Sequence, residues 1–337
     1  MTDSDPEGRQ PNRLRNILSK GAPWLIAIVV LYLVFQRVSI TDVFNSARQV
    51  DLRIFIPLLI LNLVVHFLWD AKVYTLLFRW FKVPVTFREM LPVRSASHLL
   101  LMLNFFVGQG GMALLMNRWK GISLKRAGSI ILFSVFNDYY LLLAFCLAGA
   151  FRLPGVDLIS FFHATEQGDL VRFIVISWIV FILLIAYLRL YLPRPGARIR
   201  MRKREIFSTF RDAPLTLYFK LMAVKTVNFI LGLVTTYFAL TAFGLHAPFG
   251  YLIVFLPIVW LISSIPITVM GLGTTQAAML WLVAGIAQGS GGPEGIKAAV
   301  LAYSLLWWFS YNVGRFAVGA FFLFRLPKEI WLSPETR

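Results

Sequence analysis

One apolar stretch of the chain carries three polar residues that could bind a ligand or move a proton. Asn62, His66 and Asp70 follow at intervals of four between residues 54 and 78, which places them on one face of a helix. An ionisable group at bilayer depth costs ~2.5–3.5 kcal/mol and faces the interior of a bundle. We therefore expect Asp70 to pair with Lys72 or with a basic residue elsewhere. Ligand binding, proton coupling by His66 and a structural hydrogen-bond ladder remain open.

Further charged residues lie in other apolar runs. Asp138 could balance a buried cation or contact a cationic headgroup. Arg315 lies about two helical turns from the end of its run, where a phosphate contact and an extension to the membrane surface are both possible. Lys220 and Lys225 lie near the start of another run, and we expect both to extend to anionic headgroups.

Small and polar residues interrupt two long apolar stretches. Residues 99–116 are broken at 108–111 (Gly-Gln-Gly-Gly), and residues 252–285 are broken at Pro266 and again at 271–276. Free backbone groups in lipid are tolerated only where protein or a water-filled cavity covers them, and matched interrupted segments indicate a transporter's binding site. Close helix packing is the other explanation for the glycines. The candidate substrate-binding residues are Asn62, His66, Asp70, Asn104, Gln109, Gly110, Gly111, Asp138, Thr268, Gly271, Gly273, Gln276 and Arg315.

The composition is that of a membrane protein. Hydrophobic residues make up 58% of the 337 residues and the mean hydropathy is +0.72, in runs long enough to cross a bilayer. The net charge of +17 comes from short loops beside these runs, where cations orient the chain and attract anionic lipid, so nucleic acid is not expected as a partner. A single cysteine, Cys146, excludes a disulfide framework. The four histidines are scattered, so we expect no metal and no other cofactor.

Basic loops determine the expected topology, because cationic loops stay on the cytoplasmic side. Residues 79–95, 117–126 and 193–213 are rich in arginine and lysine, so both ends of the 97–116 segment are expected on that side. This segment must then enter and leave the membrane on the same side. The same parity argument makes 252–285, which begins on the opposite side, either re-entrant or an even pair of crossings.

The predicted fold is an all-α polytopic membrane protein, with about six full spans and two re-entrant helical hairpins arranged as an inverted repeat. The first apolar run resembles a signal peptide, but no cleavage site follows it, so we expect it to be retained as a span. The chain is predicted to consist of a cytoplasmic N-terminal segment (1–21), one transmembrane domain (22–325) and a cytoplasmic tail (326–337). Within the transmembrane domain we expect, in chain order, the first half (54–151), a linking span (172–192), a basic cytoplasmic loop (193–213) and the second half (216–324).

Stretches around the two breaks resemble the signatures of the lysylphosphatidylglycerol synthase/flippase transmembrane family. Residues 104–111 and 118–127 resemble its first signature, and residues 265–277 resemble its second, usually written P-x-x-x-G-G-L-G-x-x-E. The resemblance extends over nearly the whole chain. It implies a lipid transporter of the bacterial inner membrane. Only a short stretch follows the last apolar run, so we expect the aminoacyl-transferase domain of the bifunctional members to be absent.

The chain departs from these signatures at several positions. Gln276 stands where the family has Glu, Met270 replaces a glycine, and residues 137–138 (Asn-Asp) occupy a region that often carries Glu-Arg. A typical arginine of the last span is replaced at 307–308 (Trp-Trp). These differences imply a divergent member with a headgroup other than that of the lysyl-lipid flippases.

The sequence thus predicts a flippase that moves a polar or charged phospholipid or glycolipid by alternating access at the two hairpins. The expected partners are membrane lipids with polar or anionic headgroups and lipid-synthesis enzymes, an oligomer is possible, and both termini are expected in the cytoplasm. No catalytic motif is found. A lipid-modifying transferase that pairs His66 with Asp70, and a non-transporting accessory of envelope glycolipid or hopanoid synthesis, remain alternatives.

Overall fold

The computed structural model describes residues 13–103, 105–150, 172, 175–180, 182–183, 186, 205–265, 267–326 and 330. Throughout these residues the regular structure is helical, without a strand, which confirms the predicted all-α class. The helices with defined bounds are α1 (Arg13–Phe35), α2 (Ile40–Arg48), α3 (Leu52–Trp80), α4 (Phe87–Leu103), α5 (Phe105–Lys120), α6 (Leu124–Ala150), α7 (Ser208–Asp212), α8 (Leu215–Thr241), α9 (Phe249–Ser264), α10 (Thr274–Leu282) and α11 (Gly292–Leu323).

Among the described residues, three helices are long and apolar enough to cross a membrane, namely α3, α6 and α8. A fourth span results if α1 and α2 are counted as one broken span, although they meet at an angle of 89°. A transmembrane helix needs about 20 predominantly apolar residues, and the chain is therefore a multi-pass membrane protein. The span predicted over 172–192 lies largely outside the described residues, so the count of six full spans stays a prediction.

Helices α4 and α5 form a hairpin whose two far ends lie together. Lys120 Nζ at the end of α5 is 3.2 Å from a carboxylate oxygen of Glu89 in the first turn of α4. Glu89 also accepts hydrogen bonds of 2.7 Å from the N–H and the hydroxyl of Thr86, which caps the start of α4. Each arm is about 25 Å long at 1.5 Å per residue, less than the ~30 Å hydrocarbon core.

The break in this hairpin falls near residue 104 and not at the predicted glycines. Residues 108–111 lie inside α5. A Cβ at Gly108 would overlap both the side chain and the Cα of Leu101 in α4, so this glycine allows the two arms to pack closely. Position 108 therefore supports the close-packing explanation of the glycines.

The first arm also begins earlier than predicted. Helix α4 starts at Phe87, inside the stretch predicted as a basic loop over 79–95. Arg94 of that stretch is only 6% exposed and lies inside the helix bundle. The prediction that Arg94 is a loop cation is wrong, because a carboxylate within the bundle neutralises its charge.

Helices α9 and α10 form the second hairpin, with its break where the sequence predicts it. Met270, Gly271 and Gly273 between the two helices have φ angles of 51°, 74° and 85°. Glycine adopts such angles without steric penalty, whereas Met270 places a side chain in the left-handed region. Trp308 Nε1 donates a hydrogen bond of 3.0 Å to the Met270 carbonyl and so connects this turn to α11.

The far ends of the second hairpin are joined as well. His246, before α9, and Gln288, after α10, exchange two backbone hydrogen bonds of 2.8 Å each. Helix α10 has 9 residues and is about 14 Å long, too short to cross a membrane alone. Both hairpins thus have the paired ends that a re-entrant segment requires.

The two hairpins exchange packing partners between the halves of the chain. Helix α4 of the first half packs against α11 of the second, and α9 of the second half packs against α6 of the first. The helices that open the two halves, α3 and α8, pack against each other. Separate apolar clusters around Phe133 and Leu240 fill the bundle. This arrangement brings long helices and hairpins of both halves around a shared space.

Candidate functional site

A cavity of about 1020 Å³ lies between the two halves of the chain. Its wall contains side chains of α1, α3, α4, α5, α6, α8, α9 and α11, and of the turn in the second hairpin. Ligand pockets in proteins are usually about 300–1,000 Å³, so a lipid headgroup fits this space. Both hairpins and the long helices of both halves contribute to the wall.

The structure brings most of the sequence-predicted residues to this wall. They come from α3, α5, α6, α11 and the second hairpin, which are far apart in the sequence. The predicted residues that line the cavity are Asn62, His66, Asp70, Gln109, Asp138, Thr268, Gly271 and Arg315.

Two predicted glycines of the first hairpin do not line the cavity. A Cβ at Gly110 would meet no atom within 4 Å, and this residue is exposed. Gly111 instead packs against the Leu100 side chain of α4. The candidate Asn104 lies outside the described residues.

Two predicted residues of the second hairpin, Gly273 and Gln276, do not line the cavity and contact other parts of the protein. The Oε1 of Gln276 accepts a hydrogen bond of 2.7 Å from the Gly273 N–H, and its Nε2 donates to the Ser304 carbonyl at 3.4 Å. A Cβ at Gly273 would lie 3.1 Å from the Ala27 carbonyl, so this glycine allows α1 to approach. These contacts cap α10 and join it to α1 and α11.

Asp70 forms a buried ion pair with an arginine of the first hairpin. Arg94 Nε lies 2.5 Å from Asp70 Oδ2, and the two side chains are 8% and 14% exposed. The Arg94 guanidinium also lies 4.3 Å from the centre of the Tyr74 ring and donates to Ser97 Oγ at 3.1 Å. Asp70 therefore pairs with a basic residue elsewhere in the chain, whereas Lys72 is exposed.

His98 connects this ion pair to α11. Its Nδ1 lies 2.6 Å from Nη2 of Arg315, and its Nε2 lies 3.4 Å from Asp70 Oδ2. A guanidinium can only donate, so Nδ1 accepts and the hydrogen of a neutral ring lies on Nε2, facing Asp70. Arg315 thus points into the bundle, and of the two roles left open by the sequence its extension to the membrane surface is not what the structure shows.

A second ion pair joins α6 to α8. Lys225 Nζ lies 2.6 Å from Asp138 Oδ1 and donates a hydrogen bond of 2.7 Å to the Ser134 carbonyl. The Lys225 side chain is 8% exposed, whereas that of Asp138 is 54% exposed and forms part of the cavity wall. The expected extension of Lys225 to lipid headgroups is therefore wrong, because Asp138 holds it inside. Lys220 of the same helix is exposed.

Neutral polar side chains complete the wall. Asn62 Nδ2 donates a hydrogen bond of 2.8 Å to Thr235 Oγ1, which joins α3 to α8. The side-chain oxygens of Gln109 and Asn228 are buried, and neither has a hydrogen-bond partner among the described residues. A buried polar atom without a partner is uncommon in proteins, and a ligand in the cavity would explain these two oxygens.

Two of the four histidines come together, contrary to the expectation of scattered histidines. Ligand atoms of His66, Asp70 and His98 lie within 4.8 Å of one another, a grouping that could hold a metal ion. However, Arg94 occupies Asp70 and Arg315 contacts His98. A metal cation would have to displace one guanidinium and lie beside the other, so we assign no metal to this group.

The site includes two cations, Arg94 and Lys225, and a histidine, His98, that were not selected from the sequence. Arg94 and His98 are four residues apart, and the Thr86/Glu89 capping pair is the signal that would have predicted a helix carrying both. For Lys225 the signal is its depth, since ten residues of an apolar helix precede it from Leu215 onward. Such a lysine requires an internal partner unless it reaches the interface.

The chain was compared with models of known protein families. The model described as "Lysylphosphatidylglycerol synthase TM region" matches residues 22–314. No curated protein and no solved structure matches the chain.

Proposed function

The chain belongs to the lysylphosphatidylglycerol synthase TM region family, and from this membership we propose that it transports a polar or charged lipid between membrane leaflets. Family membership indicates a function related to membrane lipids. One observation supports transport: a cavity whose wall carries several charged and polar side chains is lined by both halves of the chain and by both hairpins. A lipid headgroup in such a cavity is shielded from the hydrocarbon while it crosses.

The transport cycle that we propose is alternating access within an inverted repeat. The exchange of partners supports the repeat, since each hairpin packs against the last long helix of the other half. Two broken hairpins then present free backbone groups and helix ends to the headgroup while the halves rock around it. In the orientation that we propose, the basic loops and both termini lie on the cytoplasmic side.

A lipid-modifying transferase is the alternative that the same cavity allows. It would use His66 as a general base oriented by Asp70. The described contacts of His66 are aromatic, with ring centres 6.0 Å from Tyr311 and 6.3 Å from His98, and Asp70 is occupied by Arg94. These contacts favour transport over catalysis. The accessory role is the remaining alternative, and it requires neither transport nor chemistry.

Reconstitution of the full chain in liposomes with fluorescent lipids tests the proposal. The wild type should move labelled lipid across the bilayer without forming a new lipid species, as measured by dithionite quenching and mass spectrometry. Asn228→Trp fills the cavity and should slow this movement. Val227→Trp is the matched control, because the neighbouring residue is 41% exposed on the outer face of the same helix.

The outcomes separate the three functions. Movement that is slowed by Asn228→Trp and unaffected by Val227→Trp supports a transporter that uses this cavity. A new lipid species would establish a transferase. Neither movement nor chemistry with any lipid would favour an accessory role and contradict transport.

A further inference from the structure

We propose that the cavity binds the phosphate group of an anionic lipid headgroup at Arg315, an inference that rests on the proposed transport and names its substrate class. Two cations of the wall, Arg94 and Lys225, are paired with the carboxylates Asp70 and Asp138. Arg315 is the third cation of the wall and has no carboxylate partner among the described residues. The described wall therefore carries one positive charge in excess, which an anion would balance.

The surroundings of Arg315 leave donors available for such an anion. Its Nη2 contacts the neutral ring of His98, while its Nε is buried and has no hydrogen-bond partner among the described residues. The guanidinium lies 5.5 Å from the centre of the Tyr311 ring. A planar group with several N–H donors binds phosphate oxygens in a bidentate manner, and this geometry is stronger than a neutral hydrogen bond.

The remaining wall suits the polar part of a headgroup. The side-chain oxygens of Gln109 and Asn228 are buried without described partners, and a hydroxyl of the headgroup can donate to either. Thr268 and Ser263 add hydroxyl groups, and the indole rings of Trp260 and Trp307 add apolar surface. A phosphate with a hydroxylated substituent therefore matches both the charge and the hydrogen-bonding groups of the wall.

A cationic headgroup matches the wall less well. It would increase the positive charge beside Arg315. Of the carboxylates in the described wall, Asp138 is the half-exposed one, and it already pairs with Lys225. The Asp70 carboxylate is occupied by Arg94 and contacted by His98. Charge complementarity thus selects anionic over cationic lipid.

A binding measurement on the purified wild-type chain is the first test. Tryptophan fluorescence should change on titration with short-chain phosphatidylglycerol and not with short-chain phosphatidylcholine, because Trp260 and Trp307 lie in the cavity wall. Inorganic phosphate is titrated in parallel. Binding of phosphatidylglycerol that is at least tenfold tighter than that of inorganic phosphate identifies the lipid headgroup as the ligand. Equal binding of both phospholipids, or binding of inorganic phosphate alone, would overturn the proposal.

The second test uses Arg315→Gln, which removes the charge, and Arg315→Lys, which retains it. We expect Arg315→Gln to weaken phosphatidylglycerol binding and slow its transport about tenfold or more, with a smaller loss for Arg315→Lys. Arg325→Gln is the matched control, since Arg325 is exposed just beyond α11 and lies 4.4 Å from the Phe321 ring outside the cavity.

The variants distinguish failure of this inference from failure of the proposed function. If Arg315→Gln transports phosphatidylglycerol at the wild-type rate, the phosphate site is overturned while lipid transport stands. If the wild type transports no lipid, the proposed function fails. If Arg315→Gln does not fold, the wild-type titrations against phosphatidylcholine and inorganic phosphate still decide.

Discussion

The two aspartates of the cavity differ in how much their ion pairs matter for folding. Asp70 and Arg94 are both nearly buried, at 14% and 8% exposed. Asp138 is 54% exposed, and its partner Lys225 keeps a second hydrogen bond to the Ser134 carbonyl. Removal of one member of a buried pair leaves an uncompensated charge. Asp70 is therefore a structural residue as well as a wall residue, and Asp138 is the more exposed of the two carboxylates.

We expect Asp70→Asn to lower the free energy of unfolding by about 3–5 kcal/mol, because Arg94 would stay buried without its counter-charge. Asp138→Asn should have a clearly smaller effect. Denaturant or thermal unfolding in lipid nanodiscs measures both. The double variant Asp70→Asn with Arg94→Met should recover part of the loss, since no buried charge is stranded. Equal losses for Asp70→Asn and Asp138→Asn would contradict this assignment.

At the scale of the element, the first hairpin depends on a cap and on a close contact between its arms. Hydrogen bonds from Thr86, foremost that of its hydroxyl, together with Lys120 hold the pKa of Glu89 below its usual value. The carboxylate caps α4 and ties it to the end of α5. Gly108 fits against Leu101 between the two arms. Cap and contact stabilise different ends of the same hairpin.

The Glu89 cap predicts a pH dependence of stability. A carboxyl whose pKa is lowered in the folded state stabilises that state above its unfolded pKa and loses this contribution as the pH falls through the folded pKa. The wild type should therefore unfold at a higher temperature than Glu89→Gln at pH 7, and the difference should shrink as the pH falls below about 4.3. Melting temperatures of both proteins between pH 7 and pH 3 measure this. A constant difference over that range would show that the carboxylate charge does not matter.

Gly108→Ala should destabilise the protein by about 1–3 kcal/mol, because the new Cβ would overlap the Leu101 backbone and force the arms apart. Gly110→Ala is the matched control: it adds a methyl group to open space in the same helix and should be neutral or slightly stabilising. Thermal unfolding of the two variants compares them directly. A larger loss for Gly110→Ala than for Gly108→Ala would contradict the packing role.

In the complete bundle, both hairpins and the long helices of both halves surround one shared cavity. The ends of each hairpin are joined, by Lys120 and Glu89 in the first and by His246 and Gln288 in the second. Each hairpin therefore returns to the side from which it starts. If the halves are inverted, the ends of the two hairpins must lie on opposite sides.

Cysteine labelling in intact cells tests this orientation. With Cys146 replaced by alanine, cysteines at Pro84 and Ser123, which flank the first hairpin, should be protected from an impermeant thiol reagent. A cysteine at Ser290, beyond the second hairpin, should be labelled. All three residues are exposed, and none of the substitutions changes the loop charges. Labelling of only one of the positions 84 and 123 would contradict the re-entrant hairpin.

Features that depend on local composition and spacing could be predicted from the sequence. Long apolar runs specify membrane helices because lipid excludes unpaired backbone groups. The glycines and Pro266 marked the second break, and the spacing of Asn62, His66 and Asp70 placed all three on the cavity wall. The first break was predicted at residues 108–111, which lie inside α5. This prediction was wrong because glycines inside a helix pack two helices together as readily as they end one.

Which charges meet depends on how the helices pack, and the sequence did not predict it. The pairs Asp70–Arg94 and Asp138–Lys225 join different helices, and spacing along one helix gives no information about the helix that packs against it. Arg94 and Lys225 were therefore assigned to loops and headgroups, where isolated cations are most stable. Inside the bundle each has a carboxylate partner, which leaves Arg315 as the cation of the described wall that has none. The excess charge of the cavity follows from packing, because neutralisation depends on distances of a few ångströms between helices that are far apart in the sequence.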